Sequence, residues 1–230
     1  MPGRRTEIMR RKYLVIGLGK FGSAVMKELH QAGHHVVGCD KNEALLEAVE
    51  AYAEYVVQGN ATDDAVLDEL NVEGFHSIVV AMATEFESSI VIVAKLKKRG
   101  CKHVVVKSND HFRGEILSEI VGADSVVYPE EESGRRTARQ LSMPGLMEYV
   151  QLSPYCSGIE LKAPASFINR SLMDLDLRKK FGVTVLLINR EDVHKPIVSP
   201  APTETFQPGD TLFVVGEPRD VDRFQEHYTN

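Results

Sequence analysis

Three glycines, Gly17, Gly19 and Gly22, stand in G-x-G-x-x-G spacing directly after the apolar run Tyr13-Leu14-Val15-Ile16. A carboxylate, Asp40, closes a second apolar run, Val36-Val37-Gly38-Cys39, about twenty residues further on. The chemistry this pattern serves is recognition of a phosphate and a sugar. Unpaired N–H groups at a helix start attract a phosphate, and an acidic side chain at the end of the next strand accepts hydrogen bonds from ribose hydroxyls. Each glycine has a separate mechanical duty: Gly17 permits the tight turn, Gly19 lets backbone approach a pyrophosphate, and Gly22 allows helix and strand to pack closely. Lys20 and Phe21 complete the turn. The Lys20 ammonium is read either as a point charge within reach of phosphates or as a solvated lysine. Asp40 also opens Asp40-Lys41-Asn42-Glu43, a capping-box pattern, and its two oxygens leave ribose contact and helix capping both open.

Such a site needs a strand, a crossover helix and a second parallel strand, and the chain repeats that alternation. Strands are expected at 13–16, 35–39, 55–58, 77–81, 103–107 and 125–128, mostly Val/Ile runs of the kind buried on both faces. Helices are expected at 21–31, 42–53, 63–70, 86–98 and 112–121, with Gly33, Gly100 and Gly122 closing three of them. Six strands joined this way make an α/β fold, a doubly wound parallel six-stranded Rossmann-type sheet, whose ligands lie at the carboxyl ends of the strands. Four groups fall there. Asn60, Ala61 and Thr62 border an adenine, or else Asn60 or Thr62 caps the next helix. Ala81 and Met82, with Ala83 and Thr84, leave room for a base or ribose. Lys107 ends the fifth strand, as a site cation or a surface lysine. Pro129-Glu130-Glu131-Glu132 opens a helix, where the glutamates suit the dipole; a carboxylate facing a phosphate pocket instead needs a metal ion or a lysine beside it.

Composition narrows the classes. The chain has 230 residues, 43% of them hydrophobic, and a net charge of −6, which argues against a general nucleic-acid binder. Cys39, Cys101 and Cys156 fit no zinc spacing and read as buried apolar residues in a reducing cytoplasm. His30, His34 and His35 lack an acidic or Cys partner for a metal. Residues 1–12 read as a disordered basic tail, with contact to a partner or anionic lipid as the other reading. No apolar run approaches 18 residues, so direct membrane insertion is not expected.

The expected domains are the tail at 1–12, a nucleotide-binding domain at 13–143 and a small α+β module at 144–230, the boundary set by Pro144-Gly145. The module is read as strands at 147–152, 158–161, 183–189, 196–199 and 211–215, a helix at 171–181 opened by Asn169 or Ser171, and a last helix at 219–227.

Taken together, Val-Ile-Gly-Leu-Gly-Lys-Phe-Gly (15–22), Gly-Asn-Ala-Thr-Asp-Asp (59–64), Val-Gly-Ala-Asp (121–124), Tyr-Pro-Glu (128–130), Leu-Arg-Lys-Lys-Phe-Gly-Val-Thr-Val (177–185) and Pro-Gly-Asp-Thr-Leu (208–212) resemble the cytosolic regulatory subunits of Ktr/Trk-type potassium uptake systems. Those subunits carry an RCK N-domain and C-domain, and the resemblance covers nearly the whole chain. It implies a homodimer assembling into an octameric gating ring on the cytoplasmic face of the cell membrane, beneath an integral-membrane potassium-translocating subunit. ATP versus ADP, or NAD and NADH in some relatives, changes the ring's shape. By the resemblance, Gly17, Gly19 and Gly22 lie under the phosphates, Asp40 on the ribose, and Asn60, Ala61 and Thr62 beside the adenine, with Lys107 nearby. Glu130 matches an acidic position where a divalent or sodium ion bridges to the phosphates. Many Ktr members have Arg at the place of Lys20. Some relatives also bind cyclic di-AMP in the C-domain dimer cleft. The implied protein is not an enzyme. The rival reading is a nicotinamide-dependent dehydrogenase, which shares the fingerprint and Asp40 but needs a positioned acid/base; only His194 and His227 are on offer in the second half. A nucleotide sensor acting on another transporter is the third reading.

Overall fold

The alternation of the first apolar run decides how the first half packs. In β1 (Lys12–Ile16), Leu14 and Ile16 join one buried cluster and Val15 joins another. Both faces of the strand are therefore covered, as a central parallel strand requires. The computed structural model describes residues 10–82, 85–142, 145–190 and 195–229. They form two compact units divided between Glu131 and Glu132.

In the first unit β1 is flanked by β2 (His35–Asp40) and β4 (Ser77–Val80), with β3 (Tyr55–Gln58) beyond β2. β5 (Val104–Lys107) and β6 (Ser125–Val127) extend the other side, giving the parallel order β3-β2-β1-β4-β5-β6. The chain order reverses between β1 and β4, and a crevice opens at their carboxyl ends. The crossover helices are α1 (Lys20–Gln31), α2 (Glu43–Glu47), α3 (Asp64–Leu70), α4 (Phe86–Lys98) and α5 (His111–Glu115).

Two helices of the first unit depart from expectation. The helix read at 42–53 is α2 followed by a 3-10 turn, Glu50–Tyr52, with the buried Val49 at the break. The helix read at 112–121 is α5 running into a π-helical turn, Ile116–Ile120, where the Ser118 hydroxyl donates back to the Gly114 carbonyl at 3.0 Å. At the amino end Lys12 already pairs in the sheet, and the Arg11 carbonyl accepts from His35 N at 3.0 Å. The expected tail therefore stops short of residue 12, and its residues 1–9 lie outside the described ones.

α6 (Pro129–Ser142) contains the division between the units. The boundary read at 143–144 falls on residues outside the described ones, as does His194. The second unit holds β7 (Leu146–Ser153), β8 (Cys156–Lys162), β9 (Thr184–Asn189), β10 (Ile197–Val198) and β11 (Thr211–Gly216) in the antiparallel order β10-β9-β11-β8-β7. Phe167, Phe206 and Phe224 fill its core, the last from α9 (Pro218–Thr229). The single helix read at 171–181 is two: α7 (Leu172–Leu175), opened by a Ser171/Asp174 capping box rather than by Asn169, and α8 (Leu177–Phe181). Asp176 at φ +48 makes the break. Cys39 and Cys101 are buried as expected; Cys156 is only half-buried. Among the described residues no helix is long and apolar enough to cross a membrane, and no group of three His, Cys, Asp or Glu could hold a metal ion.

Asp124 ties the far side of the first unit together: it accepts from Val104 N at 2.7 Å and from the Lys97 ammonium at 2.9 Å. Partial burial works to raise its pKa, but the Lys97 ammonium and the Val104 N–H outweigh that and hold the carboxyl below its usual value. The stabilisation is thus fully present above the unfolded carboxyl value of about 3.9 and is lost as pH falls through the lower folded value. Urea denaturation of wild type and Asp124→Asn between pH 7 and pH 3 is expected to show a shallower acid loss in the variant; equal slopes would exclude this role.

Candidate functional site

At the β1/β4 crevice the structure has a cavity of about 240 Å³. Its floor comes from the glycine loop. Gly17 has φ +89, and a Cβ there would lie 2.7 Å from Met82 Cγ, so only glycine makes this turn without displacing the cavity wall. Gly22 does not line the cavity; a Cβ on it would overlap the Gly17 carbonyl oxygen, so its absence lets α1 start close against β1. Gly19 is different: a Cβ there would meet nothing within 4 Å, but Gly19 lines the cavity and a side chain would project into open space at the helix start. No side chain caps α1 at Gly19. The first-turn N–H groups therefore retain their capacity for an anion.

Asp40 closes the opposite wall. Its Oδ2 accepts from Leu18 N at 2.7 Å and its Oδ1 from Asn42 N at 2.9 Å. The carboxylate thereby holds the end of β2 against the glycine loop while each oxygen keeps a further lone pair for a ligand hydroxyl. The capping-box alternative is corrected: Asn42 is the N-cap of α2 and accepts from Ala44 N at 3.1 Å. A similar correction applies after β3. Asp63 is the N-cap of α3 and makes no side-chain cap bond, so neither Asn60 nor Thr62 caps it. The Asn60 side chain instead accepts from Thr62 N at 3.1 Å, shaping the loop.

Of the residues singled out in the sequence, the cavity brings together Gly17, Gly19, Asp40, Asn60, Ala61, Ala81 and Met82. Thr62 is not in its lining; its carbonyl accepts from the Lys95 ammonium at 2.7 Å. Ala83 and Thr84 lie outside the described residues. Lys20 is exposed at the start of α1. Phe21, Lys107 and Glu130 form a second group: the Lys107 ammonium is 2.6 Å from the Glu130 carboxylate and 5.8 Å from the centre of the Phe21 ring. That hydrogen bond holds the Glu130 carboxyl below its usual value. Of the two counter-cations considered for Glu130, the structure supplies the lysine.

Sequence reasoning missed Lys41, Asn42, Leu45 and Glu85, which also line the cavity. The signal was positional, since Lys41 follows β2 and Glu85 follows β4 at their carboxyl ends. The Lys41 ammonium donates to Glu85 Oε1 at 2.6 Å, which raises the lysine and lowers the glutamate. Cys39 also lines the cavity, but burial pushes its thiol up to about 12, leaving it protonated and unreactive.

With this geometry in view, residues 13–129 match the TrkA-N domain and residues 157–228 match the TrkA-C domain. The chain belongs to the TrkA-N domain family. It is 34% identical over 219 residues to the Ktr system potassium uptake protein A of Bacillus subtilis (strain 168), covering 95% of this chain and 97% of the relative. It is 33% identical over 218 residues to Ktr system potassium uptake protein C of the same organism, again covering 95% and 97%. Among solved structures, the GsuK RCK domain superposes with a TM-score of 0.65 at 16% identity, covering 97% of this chain and 49% of that one, a likeness of fold. The resemblance to Ktr-type subunits read from the motifs is borne out across both domains.

The glycine geometry yields a contrast. Gly22→Ala is expected to destabilise the first unit by about 1–3 kcal/mol through overpacking, whereas Gly19→Ala is expected to shift stability by less than about 0.5 kcal/mol. Denaturant unfolding of the two variants checks this, and equal losses would contradict the assignment.

Proposed function

We propose that the chain is the nucleotide-binding regulatory subunit of a potassium uptake system, acting on a separate membrane subunit by changing shape and catalysing no reaction. The observation that carries the reading is the joining of an uncapped helix start to the Asp40 carboxylate across one cavity, in a chain similar over nearly its full length to Ktr system potassium uptake proteins. The ligand is an adenine nucleotide, ATP or ADP, with NAD or NADH as the alternative. Its phosphates lie over Gly17 and Gly19, its ribose on Asp40, and its base beside Asn60, Ala61, Ala81 and Met82.

A ligand shifts an equilibrium between two shapes only by its differential affinity for them. In this reading the terminal phosphate supplies that difference. Lys20 and Lys107 are the cations it draws on, and Glu130 either yields Lys107 to the phosphate or takes a divalent or sodium ion that bridges to it. Glu130 opens α6, in which one compact unit ends and the other begins, so a change in its pairing acts on the connection. The protein works as a homodimer assembled into an octameric ring on the cytoplasmic face of the membrane. Cyclic di-AMP is a second candidate effector, held by the C-terminal unit.

Calorimetry with ATP, ADP, NADH and cyclic di-AMP tests the reading. Asp40→Ala is expected to weaken adenine-nucleotide binding at least about tenfold, the loss of hydrogen bonds to a charged acceptor. Lys20→Ala is expected to weaken ATP more than ADP. Absence of binding by the wild-type protein at millimolar nucleotide would refute the site, and failure to support potassium-limited growth together with a Ktr membrane subunit would refute the partner.

A further inference from the structure

An ion pair joins two segments of the cavity's lining. Lys41 stands on the segment after β2 and Glu85 at the N-cap of α4, and both line the cavity. Their side chains meet at 2.6 Å, joining two walls that the sheet itself leaves apart. The pair is supported on both sides: the Ser88 hydroxyl donates to the second Glu85 oxygen at 3.3 Å, and the Gln58 amide donates to the Lys41 carbonyl at 3.5 Å. Asp40, adjacent to Lys41, adds a further negative charge that favours the ammonium.

The cavity, about 240 Å³, has both side chains of the pair in its lining. A nucleoside seated between Asp40, Ala61 and Met82 therefore lies against the pair. Both partners are well exposed, with side-chain accessibilities of 61% for Lys41 and 39% for Glu85, so the pair is screened by salt and opens at small cost.

Resting on the nucleotide reading above, we propose that the Lys41–Glu85 ion pair is a strap across the nucleoside end of the cavity. It breaks to admit the ligand and re-forms over it, and so sets the rate of nucleotide release. Neither residue needs to touch the phosphates. The strap acts on adenosine and on its phosphates alike.

Stopped-flow release of a fluorescent N-methylanthraniloyl ADP from the full chain tests this. Lys41→Met and Glu85→Gln are each expected to speed release by about three- to fivefold, the range an exposed pair supports. The double reversal Lys41→Glu with Glu85→Lys is expected to return it towards the wild-type rate. Raising salt to 1 M is expected to speed release from the wild type and leave Lys41→Met unchanged. Competition by adenosine is expected to change in step with that by ADP. Unchanged release in both single variants overturns the strap while leaving the nucleotide site standing, and so does a loss confined to ADP, which would assign Lys41 to the phosphates. No binding of the probe by the wild type overturns the nucleotide reading and the strap with it.

Discussion

The hydrogen bond from Leu18 N to the Asp40 carboxylate is the constraint on which the rest of the site depends. Adjacent parallel strands fix their own register, but nothing in the ladder dictates what the loops beyond their carboxyl ends do. Asp40 ties the loop after β1 to the end of β2, and a second bond to Asn42 N starts the turn into α2. A charged acceptor makes such bonds about twice as strong as neutral ones. The loop that would receive an anion is thus held in place before any ligand arrives, which lowers the ordering cost of binding.

Around that anchor, charge is placed in pairs rather than spread out. Lys41 meets Glu85 on one side of the glycine loop, and Lys107 meets Glu130 on another. Neither is a large source of stability, since the Lys41, Glu85 and Glu130 side chains reach water and salt that screen them. Their importance lies in how little it takes to exchange one partner for a phosphate. The second unit shows the opposite regime. There Arg190 makes paired hydrogen bonds to Asp210, whose side chain is fully buried, and a third to Glu204. Removing one member of such a group strands a buried charge at a cost of roughly 3–5 kcal/mol, so it serves as a fixed point in the fold.

Much of this was legible beforehand. Val/Ile runs bounded by helical patterns could only be strands buried on both faces, and five crossover segments between six such runs leave a doubly wound sheet. The spacing of Gly17, Gly19 and Gly22 needed no structure either, because the whole pattern lies within six residues between a strand and a helix. Errors came where two local signals competed. Asp40-x-x-Glu43 has the form of a capping box, yet a tertiary bond to Leu18 N draws the aspartate away and Asn42 takes the cap. The run 171–181 has helical periodicity throughout, yet Asp176 adopts a left-handed conformation and divides it.

By itself the sequence determined the identities of the strands and their succession along the chain, the anion-binding turn and the acidic residue ending β2, because those follow from steric and periodic rules acting within about twenty residues. Only the tertiary structure decided that Lys41 and Glu85 share a cavity, that Lys107 is the cation beside Glu130, and that Thr62 turns away towards Lys95. Those contacts join residues 23 to 44 positions apart in the chain. No local rule reaches that far, since which loops meet is set by the order of strands in the sheet and by the twist that brings their ends together.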